Sequence, residues 1–174
     1  MVEVVVRQEI MDDFALIKDV NDLAFKKEDE SILIEKIRES EAYIPELSLV
    51  AVTDRKFLAG HILFSKIHIE NHTGKMIPSV ALGPIAVHPD YQGTGIGTSL
   101  IQEGIARARK LGYTSMIVLG HPAYYPRFGF KRASEFEIKA PIDIGDEYFM
   151  AMELERGGLK GITGTVRYSD PFGI

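Results

Sequence analysis

Cysteine is absent from this sequence of 174 residues, and so are long apolar runs and clusters of basic residues. Without cysteine there can be no disulfide, no cysteine nucleophile and no thiolate metal site. A helix that spans a bilayer needs roughly 20 apolar residues, and no run approaches that length. Nucleic-acid binding would favour a basic stripe, which the mixed charges do not supply. We therefore expect neither a membrane nor a nucleic acid as a partner.

The N-terminal segment, residues 1–7, lacks the basic start and the long apolar region of a signal peptide. The absence of this signal makes cytoplasmic localisation the expectation. Apolar residues make up 45% and charged residues 26% of the chain, with a formal net charge of −5. These values are ordinary for a globular protein.

The length suits one domain with a modest extension. We expect an α/β domain over residues 1–155 and a C-terminal extension of the same domain over residues 156–174, because glycine becomes frequent from Gly157 onward. The extension is expected to be either a loose tail or a segment that packs only against something else. Its aromatic residues, Tyr168 and Phe172, suggest that it covers a binding site or joins a homodimer.

Hydrophobic spacing predicts the order of the secondary-structure elements. A β-branched strand at 2–7 precedes two helices, at about 14–24 and 31–40. Three strands with hairpin-length connections follow as an antiparallel meander, at 47–53, 57–69 and 76–87. The remaining elements are a strong helix at 96–111, a strand at 115–119, a short helix within 121–130, and a closing pair of strands at 135–140 and 147–154.

The most informative segment is the glycine-rich loop Gln92–Gly97, which lies between the third strand of the meander and the strong helix. Glycine allows positive φ and a close approach of the backbone to a ligand. The first turn of a helix presents free N–H groups and the positive end of the helix dipole. Together these features form a phosphate-binding site.

Three other interpretations of this loop compete, of which the neighbouring residues exclude the first and weaken the second. A Walker loop ends in Gly-Lys-Ser/Thr, whereas Gly97 is followed by Thr98 and no lysine is present. A Rossmann fingerprint needs glycine or alanine at the position of Thr98, together with an early parallel βαβ unit. The third interpretation is a glycine-rich turn that only starts a helix.

The strand before the loop contains Gly83 and Pro84. Proline has no N–H and cannot complete a regular central ladder, and glycine weakens a strand further. The pair therefore predicts either a break in the ladder or a β-bulge at the edge of a sheet.

Three segments together resemble the GNAT superfamily of N-acetyltransferases. Gln92–Gly97 after the strand Leu82–Pro89 is similar to the acetyl-CoA signature of that superfamily, and Tyr125–Phe130 is similar to its Tyr-x-x-x-Gly-Phe segment. Pro122–Phe130 also resembles the corresponding segment of the YhbS-like predicted acetyltransferases. The resemblance covers about residues 2–155.

This resemblance implies a mixed, mostly antiparallel central sheet with helices on both faces and a splayed strand near the cofactor. It also implies acetyl-CoA as the cosubstrate and no metal. The splayed strand would bind the pantetheine arm through its backbone, and the loop and helix would bind the pyrophosphate. By resemblance these cofactor-binding residues are Ile85, Ala86, Val87, Gln92, Gly93, Thr94, Gly95, Ile96, Gly97 and Thr98.

Tyr125 is the candidate catalytic residue. Attack of an amine on a thioester expels a thiolate whose thiol has a pKa of about 8.5. A phenol can donate a hydrogen bond or a proton to that sulfur. The family uses a tyrosine four residues before Gly-Phe in this role, which corresponds to Tyr125. The neighbouring Tyr124 is the rival, and a packing role for Tyr125 is the alternative.

The sequence departs from the family pattern in two segments. An asparagine that often lies upstream of the tyrosine is missing from residues 119–122, and a glutamate that serves some members as base is missing from residues 79–81. The candidate bases are His68, Glu70, His121 or water molecules that lead to solvent. Only His68 and His72 have a metal-binding spacing among the five histidines, and they straddle a turn, so no metal site is expected.

The expected function is acetyl transfer from acetyl-CoA to a primary amine of a small molecule or peptide, by direct attack in a ternary complex. Two alternatives stay open. One is a non-catalytic module that binds acyl-CoA as a sensor or regulator, and the other is a protein that binds a different phosphate ligand, such as a nucleotide.

Overall fold

The computed structural model describes residues 2–174, and three α-helices and nine strands lie within that range. The helices are α1 (Phe14–Phe25), α2 (Asp29–Arg38) and α3 (Ile96–Lys110). The strands are β1 (Val4–Gln8), β2 (Tyr43–Thr53), β3 (Leu58–Glu70), β4 (Met76–Val87), β5 (Ser115–Leu119), β6 (Lys131–Arg132), β7 (Ile138–Lys139), β8 (Phe149–Glu153) and β9 (Gly164–Arg167). None of the helices in this part of the chain is long and apolar enough to cross a membrane.

The strands form a sheet in the order β1-β2-β3-β4-β5-β8-β6, and β9 pairs with both β3 and β7. The pairs β4–β5 and β7–β9 are parallel, whereas β1–β2, β3–β9, β5–β8 and β6–β8 are antiparallel. This arrangement confirms the predicted mixed α/β class with a mostly antiparallel sheet.

The chain divides into two compact units. The first contains the residues up to Phe64 together with Gly83–Arg107, and the second contains Ser65–Leu82 together with Ala108–Ile174. Strands β3 and β4 pass through both units.

In the first unit, α1 packs on α2 through one apolar face of each helix. Ile17 and Val20 on α1, and Ile34 and Ile37 on α2, are each at most 3% exposed. The spacing of three residues places each pair on one side of its helix. These two faces build the helical part of the core.

Helix α3 lies directly against β3 because two glycines leave room for it. A side chain at Gly104 would collide with the ring of Phe64, and one at Gly60 would crowd Ile96 and Leu100. The N-terminal half of α3 is therefore held at a fixed place against the strand.

A cluster of polar side chains is also buried in the first unit. Glu9 accepts two hydrogen bonds from Arg38, at 3.0 and 2.9 Å, and one from the Tyr43 hydroxyl at 2.6 Å. The Nε2 atom of the fully buried His61 lies 3.3 Å from Glu9 Oε1 and 3.0 Å from Ser48 Oγ. Although burial alone would raise the pKa of Glu9, the hydrogen bonds, chiefly from His61 and Arg38, hold it well below its usual range.

The second unit has a core of its own, and the C-terminal segment contributes to it. Strand β9 pairs with β3, with Val166 opposite Ile69, and both Val166 and Leu159 are buried. Tyr168 packs against the same cluster. The segment after Gly157 is therefore neither a loose tail nor a segment that packs only against something else, because its apolar side chains complete this core.

The strands predicted at 135–140 and 147–154 are present in part as β7 and β8, but the prediction that they form a pair is wrong. Residues Ala133–Phe136 form a 3₁₀ helix that ends at Glu137, whose φ is +58°. Strand β7 is consequently short and pairs with β9, whereas β8 pairs with β5 and β6. The apolar run of β8 is buried along its first four residues, which suits a strand with a neighbour on each side.

Candidate functional site

The glycine-rich loop and the start of α3 lie in the first unit. Gly93 and Gly95 have φ values of +76° and +90°, a region that favours glycine over other residues. The N–H of Ser99 donates to the carbonyl oxygen of Gly95 at 3.1 Å and closes the first helical turn. The N–H groups of the three residues before it, Ile96, Gly97 and Thr98, therefore have no partner within the helix.

Side-chain contacts hold this loop in place. The Thr94 hydroxyl donates to the carbonyl oxygen of Tyr91, and the Gln92 amide donates to that of Val87 at 3.1 Å. Ile96 is buried, whereas Gln92 and Gly93 are exposed. The first turn of α3 contains no acidic residue, so its positive dipole end is available to an anion.

Strand β4 changes its pairing before it reaches the loop. It pairs with β5 only through Val80–Leu82. Gly83, with φ +130°, follows, and the Gly83–Pro84 peptide bond is cis. Beyond Leu82, the edge of β4 that faces away from β3 has no strand partner among residues 2–174.

The direction of the backbone groups along this open edge follows from two hydrogen bonds. The N–H of His88 donates to the carbonyl oxygen of Ala59 at 2.8 Å, so His88 faces β3. Backbone groups alternate along an antiparallel strand, which turns Ala86 toward β3 and turns Ile85 and Val87 toward the open edge. The Gln92 amide reaches the carbonyl oxygen of Val87 from that edge.

Tyr125 lies in the second unit, at the start of the 3₁₀ helix Tyr125–Phe128. Its side chain is 8% exposed and packs on Gly120, where any side chain would collide with the ring. The rings of Tyr124 and Phe130 meet it edge to face at 5.1 and 5.9 Å. Burial, with a smaller contribution from Tyr124, raises the pKa of Tyr125 to about 12, and its hydroxyl has no hydrogen-bond partner in the described part of the chain.

Tyr124, the alternative to Tyr125 as the catalytic residue, has two side chains packed against its ring. The guanidinium of Arg127 lies 4.7 Å from the centre of the Tyr124 ring, and the Phe128 ring meets it at 5.3 Å. Tyr124 is also more exposed than Tyr125. Its ring therefore serves as a packing surface for two neighbours of the same short helix.

The candidate bases are in different surroundings. Glu70 accepts a hydrogen bond from Arg167 at 2.8 Å, and His68 is exposed on β3. His121 is exposed, and its Nδ1 accepts the N–H of Ala123 at 3.1 Å. Among residues 2–174, no three His, Asp or Glu side chains come together as a metal site.

Two cavities were not foreseen from the sequence, because their walls combine side chains from separate elements. A cavity of about 310 Å³ between α1 and α2 is lined by Phe14, Lys18 and Arg38, among others. One of about 680 Å³ in the second unit is lined by Glu70, Glu137 and Arg167, among others.

Comparison with known proteins identifies the family of this chain. The sequence model described as the acetyltransferase (GNAT) family matches residues 10–130. The chain is 36% identical to the uncharacterized N-acetyltransferase YjhQ of Escherichia coli (strain K12), over 89% of this chain and 86% of that protein. It is 30% identical to the uncharacterized N-acetyltransferase YhbS of the same organism, over 86% of each chain.

Solved structures agree with this match. The structure of YhbS from Escherichia coli in complex with CoA superposes with a TM-score of 0.91 at 28% identity, over 100% of this chain and 94% of that one. A GNAT family acetyltransferase from Brucella melitensis in complex with acetyl-CoA has a TM-score of 0.79 at 31% identity, over 99% of each chain. The resemblance predicted from the sequence is confirmed: the chain belongs to the GNAT family of N-acetyltransferases.

Proposed function

We propose that this protein transfers the acetyl group of acetyl-CoA to a primary amine by direct attack within a ternary complex. The observation that carries the proposal is the start of α3, where three free N–H groups follow glycines of positive φ in a member of this family. The two similar proteins whose structures hold CoA and acetyl-CoA support the choice of ligand.

In this proposal the pyrophosphate of acetyl-CoA binds at the residues from Gln92 to Thr98. The N–H groups of Ile96, Gly97 and Thr98 donate to phosphate oxygens, and the dipole of α3 favours the negative charge. Gly93 and Gly95 allow the backbone to curve around the phosphates. An acidic side chain in the first turn would oppose this binding, and none is present.

The pantetheine arm would lie along the open edge of β4. The backbone groups of Ile85 and Val87 face that edge and are free of a strand partner in the described range, whereas Ala86, the third residue expected there, turns its backbone toward β3. A backbone N–H at this edge would also stabilise the negative charge that develops on the thioester oxygen.

Tyr125 is proposed to assist departure of the thiolate as a hydrogen-bond donor. Because its pKa is raised to about 12, the phenol stays protonated at neutral pH. It holds its proton more tightly than a thiol of pKa about 8.5 does, so complete transfer of the proton to the sulfur is unfavourable. Stabilisation of the thiolate by the donated hydrogen bond is the role that this pKa supports.

The amine must lose a proton before it attacks, since an alkyl amine has a pKa of about 10.4. The Glu70 carboxylate is already paired with Arg167, and His121 Nδ1 already accepts a hydrogen bond. These contacts favour proton removal by water molecules that lead to solvent. Because these contacts occupy two of the candidate bases, they also favour a second candidate function, that of a module that binds acyl-CoA without catalysis.

Titration calorimetry with acetyl-CoA and with ATP, side by side, tests the choice of ligand. We expect acetyl-CoA to bind at least about tenfold more tightly than ATP, because ATP has no pantetheine arm for the open edge of β4. Equal or tighter binding of ATP would favour the nucleotide-binding alternative. Release of free CoA on addition of an amine then distinguishes the enzyme from the non-catalytic module.

A further inference from the structure

Strand β1 forms one end of the strand order, and one of its two edges is open. Its register with β2 runs from Val4 opposite Thr53 to Gln8 opposite Leu49. On its other side, no strand among residues 2–174 pairs with it. The side chain of Val5, in the middle of the strand, is 67% exposed.

The backbone groups on the open edge belong to alternate residues. The N–H of Glu9 donates to the carbonyl oxygen of Ser48 at 2.9 Å, so the odd-numbered residues of β1 face β2. Val4 and Val6 therefore direct their N–H and C=O groups outward. The carbonyl oxygen of Gln8 already accepts a hydrogen bond from Arg7 at 3.1 Å, which leaves Val4 and Val6 as the unpaired positions.

The opposite end of the strand order is protected in a way that β1 is not. Strand β6 has only two residues, Lys131 and Arg132, both cationic and exposed. Very short strands and cationic side chains discourage pairing at a sheet edge. Strand β1 has five residues, with three consecutive valines and neither lysine nor proline, and its one cation, Arg7, is already paired with Asp13. It therefore retains the ability to pair.

We propose that β1 pairs antiparallel with β1 of a second copy of this chain, about a two-fold axis that passes through Val5. In this register Val5 lies opposite the partner's Val5, and Val4 lies opposite the partner's Val6. The outward N–H and C=O groups of both strands then meet as hydrogen-bonded pairs. The two exposed Val5 side chains cover each other on one face of the extended sheet.

Charge selects this register over its neighbours. Glu3 lies opposite the partner's Arg7, and the two-fold axis repeats the pair, so two opposite-charge pairs flank the central valines. Arg7 binds Asp13 through its two terminal nitrogens, at 2.7 and 3.0 Å, and its side chain remains 40% exposed. A shift of the partner strand by two residues would place Val5 opposite Arg7 or Glu3 and lose both pairs.

The chain provides a direct test because it contains no cysteine. In the proposed dimer the two Val5 residues form a non-hydrogen-bonded pair, with Cα atoms about 4.5 Å apart, within the range that a disulfide spans. Val5→Cys should therefore give a disulfide-linked dimer under mild oxidation. Leu23→Cys is the matched control, because Leu23 is 51% exposed on α1, outside the strand, and we expect it to stay monomeric on a non-reducing gel.

Sedimentation equilibrium of the unmodified chain completes the test. A single short strand buries less surface than a standard interface, so we expect a weak dimer with a Kd of about 10–100 μM. Val5→Lys places two like charges in contact and should raise that Kd about tenfold or more, whereas Leu23→Lys should leave it unchanged. A monomer at about 300 μM, or equal cross-linking of the two cysteine variants, would overturn the proposal.

Discussion

The hydroxyl of Tyr125 is unpartnered although the ring around it is packed on three sides. Gly120 lies against the ring, and the rings of Tyr124 and Phe130 each contact it in a T-shaped arrangement. A phenol held in this way has few orientations open to it, so a hydrogen bond to a substrate costs little conformational entropy. This is the physical basis for assigning it the leaving-group role.

Tyr125→Phe should lower kcat by about 10²-fold or more and change the affinity for acetyl-CoA by less than about threefold. The reason is that the variant loses only the hydroxyl and keeps the packed ring. Steady-state kinetics together with titration calorimetry measure the two effects. Tyr124→Phe is the matched control and should change kcat little; equal losses of turnover and affinity in Tyr125→Phe would count against the proposed role.

Gly95 tests the phosphate site at the level of one residue. Gly95→Asp should abolish detectable binding of acetyl-CoA, because it places a negative charge beside the proposed pyrophosphate site. Gly74→Asp is the control, since Gly74 has a similar φ of +85° and lies in an open turn, and so imposes similar backbone strain. If both variants bound acetyl-CoA as tightly as the unmodified protein, the assignment of this loop would be wrong.

At the scale of secondary-structure elements, the buried Glu9 cluster joins β1, α2, β2 and β3. Glu9 is 4% exposed and the Arg38 side chain 11%, so removal of the Glu9 carboxylate leaves the Arg38 charge mostly buried and without its ion-pair partner. Glu9→Ala should lower the free energy of unfolding by about 3–5 kcal/mol. Asp146→Ala, which breaks an exposed pair with Arg132, should change it by less than about 1 kcal/mol in urea denaturation.

The same cluster predicts how stability depends on pH. Burial lowers the pKa of His61 below its ordinary value of 6.5, against the opposing effect of Glu9. Folded His61 therefore stays neutral while the unfolded chain takes up a proton, and stability is lost as the pH falls below about 6.5. The lowered pKa of Glu9 adds a further loss below about 4.5.

Urea denaturation between pH 7 and pH 4 measures this dependence. We expect the free energy of unfolding to fall throughout the range, and His61→Gln should remove the part of the decline between about pH 6.5 and pH 5. Stability that rose on acidification, or an unchanged slope in His61→Gln, would contradict the assignment of a neutral histidine.

Strand β9 depends on a close approach of two backbone segments. Gly164 has a φ of +152°, and a side chain there would overlap the carbonyl oxygen of Glu70 on β3. Gly164→Ala should lower the free energy of unfolding by about 2 kcal/mol or more. Gly161 also has a positive φ, but a side chain there would contact no other atom. We expect Gly161→Ala to lower the free energy of unfolding by only about 1 kcal/mol. Equal losses of the free energy of unfolding in the two variants would show that the close approach of β9 to β3 does not exclude a side chain at position 164.

Across the whole fold, elements that contain a clear apolar run were predicted well, and elements without one were not. Strand β4 has the predicted bounds, 76–87, and β5 has the predicted bounds, 115–119, because each is an apolar run between glycine or turn residues. Strand β9 was missed because only Val166 of its four residues is fully buried, and its partner β3 lies about a hundred residues earlier. Pairing over that distance leaves no local pattern in the sequence.

The candidate site was predictable to a similar extent. The sequence motifs gave the glycines of the Gln92–Gly97 loop and Tyr125 as candidate site residues, because each motif is a short local pattern. It could not show that Ile85 and Val87, rather than Ala86, face the open edge of β4, since this depends on a hydrogen bond between His88 and Ala59 on another strand. Local sequence patterns could not predict the contact of Glu9 with Arg38 either, because the two residues are 29 positions apart.

The activity proposed for this member of the GNAT family is the transfer of an acetyl group to an amine. Its most direct test is the release of free CoA from acetyl-CoA in the presence of a panel of polyamines, amino acids, aminoglycosides and peptides, followed with a thiol reagent. Because the chain has no cysteine, every thiol detected belongs to CoA as long as the panel contains no cysteine. We predict release that depends on both acetyl-CoA and an amine, with an acetylated amine as product; binding of acetyl-CoA with no amine-dependent release across the panel would contradict the claim.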